Sequence, residues 1–349
     1  MIRFDSDYNN GAHPQVLKRL VETNESKSIS YGYDEWSDSA RKKIREHIGC
    51  PDANVEFLVG GTQTNATVID SILATGDGVI AVDSGHIAVH EAGAIETSGH
   101  KVLTIPAHDG KMRAADLDDY LQRFYADETY PHMVQPGLVY ITFPTELGTL
   151  YSKDELDSLH QVCQHYSLPL YVDGARLGYG LMADECDIDM KWFAHHCEAF
   201  YIGGTKVGAL CGEAVVFPYG NQPRHFFTSV KRHGALLAKG RLVGVQFDAL
   251  FSDNLYLDIS RHAIEMAHFL RHTFEETGFQ MANQSPTNQQ FVILPNQLLK
   301  PLRQLVDYEV WEPLEGGQTV CRFVASWATT IDDINGLKEA LGKIKALNC

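Results

Sequence analysis

The chain has 349 residues, 44% of them hydrophobic, enough for a large core and, at roughly 150 residues per domain, for about two domains. Its 45 acidic side chains outnumber 29 basic ones for a formal charge of −16, and no basic block suits a phosphate backbone or an anionic bilayer, which argues against nucleic-acid and membrane partners. The start, "MIRFDSDYNNGAHP", lacks the basic-then-apolar order of a leader, no apolar run reaches bilayer length, and the expected location is the cytoplasm.

In chain order, short apolar runs alternate with amphipathic segments. The strand candidates are "VEFLV" (55–59), "GVIAV" (78–82), "KVLTI" (101–105), "LVYIT" (138–142), "LYV" (170–172), "AFYI" (199–202) and "AVVF" (214–217). Helical patterns fill most gaps, and "SKDELDSLHQVCQHY" opens on the Ser152–Glu155 spacing of a capping box. This alternation predicts an α/β fold with a mostly parallel, seven-stranded sheet flanked by helices. After about residue 240 a long helical stretch leads into "FVILP", "YEVWE", "VCRFVASW" and a last helix from Ile331. The expected division is a large domain over 1–245 and a smaller C-terminal α+β domain over 246–349, with the amino-terminal segment free to join the smaller one.

Cysteines 50, 163, 186, 197, 211, 321 and 349 form no C-x-x-C pair and are expected to be reduced thiols. The His/Cys cluster at His160–His165 lacks a second group of ligands at zinc spacing, so no metal site is expected.

Ligands of a parallel sheet sit beyond the carboxyl ends of its strands. After "VEFLV" comes "GGTQTN", where Gly61, Thr62 and Gln63 at a helix start offer backbone N–H groups to an anion; alone, the segment reads equally well as a tight turn with an N-cap. No Walker A or G-x-G-x-x-G sequence is present. After "GVIAV" comes His86, after "LYV" come Asp173 and Arg176 in "DGARLG", and after "AFYI" comes "GGTKVG" with Lys206. Each has an ordinary explanation: a packed histidine, an Asp-Gly turn, a surface lysine. Together they supply what pyridoxal phosphate requires, namely an anion cradle, a carboxylate for the ring nitrogen, an amine for the aldehyde and a flat group over the ring.

Along these segments the sequence resembles the low-specificity threonine aldolases of the β-eliminating lyase group, which are fold-type-I pyridoxal-phosphate enzymes. The likeness spans essentially the whole chain, from "FDSDYNNG" and "YGYDEW" through "SGHIAVHEAGA", "LYVDGARLG" and "GGTKVGALCGEAVVF" to "CRFVASW", and "VDGAR" followed by a downstream "TK" is its most specific part. It implies an aminotransferase-like fold, a homo-oligomer (dimer or tetramer), and a lyase that cleaves L-threonine or L-allo-threonine to glycine and an aldehyde. By this resemblance Lys206 is the Schiff-base lysine, Asp173 the pyridinium partner and His86 the residue stacked on the ring. Gly61, Thr62 and Gln63 cradle the phosphate. Ser6, Arg176 and Arg322 hold the substrate carboxylate, Arg176 also lying against the cofactor.

Two segments depart from the family pattern. "FPTELG" puts Glu146 where the commoner pattern has histidine, so the base that removes the β-hydroxyl proton is His86, Glu146 or a water held by both. "ALLAKGR" (235–241) replaces a glycine-rich stretch, which leaves Lys231 or Lys239 to stand in for a phosphate-binding arginine. The same cofactor residues also serve β-elimination or, in another class, a non-catalytic pyridoxal-phosphate binder; a regulator of that kind usually carries an added basic segment, which this chain lacks.

Overall fold

The computed structural model describes residues 1–346, so Cys349 and the last residues of the expected second domain lie outside the described residues. The strands among the described residues are β1 (Ile2–Arg3), β2 (Asn54–Leu58), β3 (Asp77–Val82), β4 (Lys101–Ile105), β5 (Gln135–Thr142), β6 (Leu170–Asp173), β7 (Ala199–Gly203), β8 (Glu213–Phe217), β9 (Gln280–Met281), β10 (Gln289–Pro295), β11 (Val306–Asp307), β12 (Glu309–Leu314) and β13 (Gln318–Val324). The seven apolar runs of the first two-thirds become one seven-stranded sheet in the order β2-β8-β7-β6-β5-β3-β4. Pairing is parallel throughout except around β8, which runs antiparallel to both neighbours.

The inner strands of this sheet are buried on both faces, which is why they read as continuous apolar runs, whereas the edge strands β2 and β4 are only partly covered. Ile80, Val82, Val139, Ile141, Val172 and Val216 enter one core, under α1 (Pro14–Thr23), α2 (Glu35–Ile48) and the helix Arg241–Leu250. Their alternates Val79, Ala81, Leu138, Tyr140, Tyr171 and Val215 enter a second core against α3 (Gly61–Ile72). The capping box is present in full: Ser152 accepts from the Glu155 amide while the Glu155 side chain takes the Ser152 amide.

A four-stranded antiparallel sheet, β12-β13-β10-β9, carries its own core of Leu270, Phe274, Leu294, Phe323, Leu337 and Leu341. The helix Leu255–Glu276 serves both units, giving Tyr256, Ile259 and Ala263 to the first core and Met266, Leu270 and Phe274 to the other. The amino terminus also joins this second unit: β1 pairs in parallel with β11, and Phe4 is fully buried in its core. No helix among the described residues is long and apolar enough to cross a membrane.

Candidate active site

Because β2, β3, β5, β6 and β7 all point the same way, the residues that follow them meet along one edge of the sheet. β6 ends on Asp173 itself; the turns beyond β7, β5 and β3 carry Lys206, Glu146 and His86, and α3 begins just past β2. These groups, with Tyr8, Glu91, Arg176 and Glu213, line a cavity of about 210 Å³.

Asp173 is buried and fully engaged. Its Oδ2 accepts from Tyr140 Oη at 2.7 Å and Asn65 Nδ2 at 2.8 Å, and its Oδ1 accepts from the Ala175 amide at 3.0 Å. Burial by itself would raise the carboxyl, but the charge of His86 and hydrogen bonds from Tyr201, Asn65 and Tyr140 hold it below its ordinary value. It therefore stays ionised at neutral pH and can keep a proton on a ring nitrogen placed against it.

Asn65 passes the network on. Its Nδ2 also donates to Glu91 Oε1 at 2.7 Å, and Glu91 Oε1 lies 2.7 Å from His86 Nδ1. Burial acts to lower the pKa of His86, yet the bond to Glu91 and the charges of Glu146, Asp173 and Glu91 raise it above the ordinary value. With Nδ1 given to Glu91, Nε2 is the ring nitrogen left for chemistry.

At the other end, α3 starts behind Gly60, which has no side chain to cap it, so the first amides of the helix, Gly61 to Gln63, have no intrahelical acceptor. That arrangement suits an anion. Gly61 and Thr62 line the cavity, whereas the Gln63 side chain turns aside, its Nε2 donating to the His233 carbonyl at 3.2 Å and its Oε1 buried without a partner. Lys231 sits over the Tyr31 ring and Lys239 is exposed; neither lines the cavity.

Lys206 follows the Gly203–Gly204 turn; its carbonyl accepts from Tyr179 Oη at 2.6 Å, while its side-chain amine makes no hydrogen bond or ion pair with any described residue. Burial pushes its amine below the ordinary lysine value, helped by the Arg176 charge and opposed by Asp7, Glu146 and Asp173. Arg176 is held from the far end of the sequence: its Nε and Nη2 donate to the two oxygens of Asp7 at 2.7 and 3.1 Å, and Asn288 Nδ2 donates to the same carboxylate at 2.9 Å. Burial would raise Asp7, but the charges of Arg176 and Lys206 and these hydrogen bonds bring its pKa down to about 2.

Glu146 stands on a loop that is itself well fixed. The Thr145 amide donates to the Thr149 carbonyl at 3.0 Å, and Asn283 and Ser285 of the smaller unit donate to the carbonyls of Leu147 and Gly148 at 2.9 and 3.1 Å. Gly148 has φ +71°, and a Cβ there would come within 2.2 Å of Ser285 Oγ, so only glycine lets the loop close on its neighbour. The Glu146 carboxylate makes no hydrogen bond or ion pair among the described residues.

Ser6 lies behind the cavity wall, its Oγ donating to Asn9 Oδ1 at 3.0 Å, while Tyr8 reaches the cavity in its place. Arg322 on β13 also stands back from the lining. Its Nη1 donates to Gln289 Oε1 at 2.7 Å, its Nη2 pairs with Glu309, and its Nε is buried with no partner. Asn65, Glu91, Asp7 and Glu213 are the members of this constellation that strand-end reasoning does not find.

The residues fit pyridoxal phosphate. An ionised buried carboxylate, an unpaired amine of lowered basicity, an imidazole and an uncapped helix start line one cavity, and the unpaired amine and the free helix amides in particular call for a ligand.

The family model described as beta-eliminating lyase matches residues 4–297. A low specificity L-threonine aldolase of Pseudomonas aeruginosa is 28% identical over 96% of this chain and 95% of its own length. The solved structure of a Leishmania major threonine aldolase is 38% identical, covers 100% of both chains and superposes with a TM-score of 0.94. An aspartate aminotransferase of Thermus thermophilus, 14% identical over 98% of this chain and 96% of its own, has a TM-score of 0.69 and shares the fold.

Proposed function

This chain belongs to the beta-eliminating lyase family, and from that premise we propose that it is a pyridoxal-phosphate-dependent aldolase that cleaves L-threonine and related β-hydroxy-α-amino acids to glycine and an aldehyde. The observation that carries the reading is the convergence of Lys206, Asp173, His86 and the start of α3 on one cavity. When bound, pyridoxal phosphate supplies an aldehyde that takes up an amine and a protonated ring that receives the electron pair of the breaking Cα–Cβ bond.

The chain's own residues do the rest. The Lys206 amine holds the aldehyde; its lowered basicity keeps more of it in the neutral, nucleophilic form at physiological pH. Asp173 holds a proton on the ring nitrogen, and His86 provides the flat wall. The amides of Gly61, Thr62 and Gln63 hold the phosphate. Nη1 of Arg176 and Nε of Arg322 are the guanidinium donors not committed elsewhere, and they orient the substrate carboxylate so that the bond to be broken stands across the ring. Glu146 accepts the β-hydroxyl proton or its hydrogen bond, with His86 Nε2 as the rival acceptor. The larger unit, 1–245, is the cofactor-binding domain in this reading, and the smaller one supplies Arg322.

The chain works as a homo-oligomer, a dimer or tetramer. Tyr8, Leu17, Val21, Tyr33, Leu210 and Phe227 are each at least 45% exposed, an apolar load that a second copy would cover. A monomer with full activity in sedimentation at assay concentration would rule this out. The function itself is tested by aldehyde release from a panel of L- and D-β-hydroxy amino acids, with serine and cysteine conjugates as elimination controls. Aldehyde from L-threonine or L-allo-threonine is expected; pyruvate from the conjugates with no aldehyde from the panel would reassign the chain to β-elimination.

A further inference from the structure

None of the steps above uses Glu213, yet its carboxylate lies in the cavity. β8 runs antiparallel to β7 with Glu213 opposite Gly203, so the amino end of β8 reaches the edge where the parallel strands finish. Glu213 is 3% exposed and lines the same space as Lys206, Asp173 and Tyr201. Both of its oxygens are engaged by the turn that carries Lys206: Oε2 accepts from the Gly204 amide at 2.9 Å and Oε1 from Thr205 Oγ1 at 2.7 Å. Thr205 Oγ1 in turn accepts from the Gly212 amide at 3.1 Å, which ties the turn across its base.

A neutral acceptor could hold that turn with less desolvation cost than a carboxylate. What the carboxylate adds is charge, and no arginine is bonded to it. The charged and titratable groups that feel it are Lys206 beyond the turn, Asp173 on β6, Tyr171 on β6, Tyr201 on β7, Tyr256 on the helix Leu255–Glu276, and Cys211 just before β8. Of these, Lys206 is the cation. Burial pushes the Glu213 carboxyl up to about 7, against the pull of Thr205, Gly204 and Lys206, so its charge is present mainly on the alkaline side of neutrality.

We propose that Glu213 is a positioning residue for Lys206: it fixes the turn that carries the amine, and its negative charge stabilises the protonated form of the Lys206 nitrogen. The proposal rests on reading Lys206 as the cofactor-holding amine. At pH values where the carboxylate is ionised, protonation of that nitrogen is then favoured by Glu213, alongside the Asp7, Glu146 and Asp173 charges.

The test is a pH titration of the visible absorption band of the holoenzyme, whose midpoint reports the protonation of the nitrogen contributed by Lys206. Glu213→Gln keeps the shape and removes the charge, and should lower the midpoint by about one unit. Thr205→Val removes a hydrogen bond and keeps the charge, and should leave the midpoint within about 0.3 unit of the parent. A Gln variant with an unmoved midpoint, or a Val variant that moves as far as the Gln variant, overturns the proposal. Should the Gln variant fail to fold, Glu213→Asp serves: charge is retained, and a downward shift as large as one unit refutes the role assigned to it. A protein with no such band removes the proposal together with the reading of Lys206, whereas a band with an unmoved midpoint removes the proposal alone.

Discussion

Asp173 and Lys206 face the same cavity from neighbouring strands under opposite conditions. Asp173 accepts hydrogen bonds from Tyr140, Asn65 and the Ala175 amide, and Asn65 is itself pinned by Tyr171 Oη at 2.8 Å. Across the cavity, the Lys206 amine and the Glu146 carboxylate have no hydrogen-bonding or ionic partner among the described residues, and Arg322 Nε is buried without one. Buried polar groups are ordinarily satisfied, so the free amine and carboxylate beside this cavity suit a ligand that completes their bonding, although Glu91 Oε2 on the Asp173 side is also buried without a partner. In the proposed reading, the cofactor's ring nitrogen would meet a wall already organised for it, and the reacting amine and the substrate would meet groups left free to exchange partners. Preorganisation and availability are thus separated in space.

The largest effect on this contrast is expected at its unsatisfied side. Lys206→Ala should abolish the borohydride-reducible bond to the cofactor while the fold is retained, because the phosphate keeps its own contacts. Peptide mapping after reduction is the check, and label on another lysine would refute the assignment.

On the satisfied side, Asp7→Asn strips the counter-charge from buried Arg176 and should cost about 3–5 kcal/mol of stability at neutral pH, read from chemical denaturation. The sign of its pH dependence follows from the depressed Asp7 pKa. The parent's advantage is complete above the unfolded-state value of about 4 and disappears as pH falls through about 2, so the two denaturation curves should converge in acid. A gap that persists undiminished at pH 2 would mean the lost stability is not ionic.

Glu146→Gln should lower kcat for threonine cleavage by roughly ten- to a hundredfold, the lower end of general-base effects, since water can partly substitute. If instead this variant cleaves at the parent rate across the accessible pH range while His86→Asn does not, the histidine carries the base role.

The smallest effect is expected from Glu91→Gln, which keeps an acceptor for His86 Nδ1 but removes its charge. The His86 pKa should drop, by up to about one unit, in an NMR titration. Because the folded-state pKa is raised, the stabilisation this pair provides is full below about 6.5 and is lost as pH climbs through the folded value. The variant's stability deficit should accordingly be larger at pH 6 than at pH 8, and an equal deficit at both would exclude the charge interaction.

The inner strands of the large sheet were legible because strands buried on both faces are unbroken apolar runs, the edge strands β2 and β4 from shorter β-branched and apolar stretches, and His86, Asp173 and Lys206 because each closely follows or ends such a run. Other positions carried no comparable signal. Asn65 is hidden in the first turns of α3, where helical periodicity says nothing about which polar side chain points to a ligand. Glu213 stands at the amino end of an antiparallel strand, so a search confined to carboxyl ends passes over it. Asp7 meets Arg176 across a separation of 169 residues, and no local pattern encodes that pairing. β1, β9 and β11, two residues each, are too short for any periodicity to show.

The strap formed by the first residues has a consequence for how the molecule is made. Phe4 donates to the Asp307 carbonyl at 2.9 Å and accepts from the Val324 amide at 2.8 Å, so this segment finishes its pairing with one synthesised long after it. At roughly 5–20 residues per second, the intervening chain takes on the order of 15–60 s to appear. During that interval Arg176 emerges and the large sheet can assemble around it, while the segment bearing Asp7 has no β11 or β13 to dock on. Docking of the arginine's counter-ion through this strap therefore requires β11 and β13, which are synthesised well after both Asp7 and Arg176.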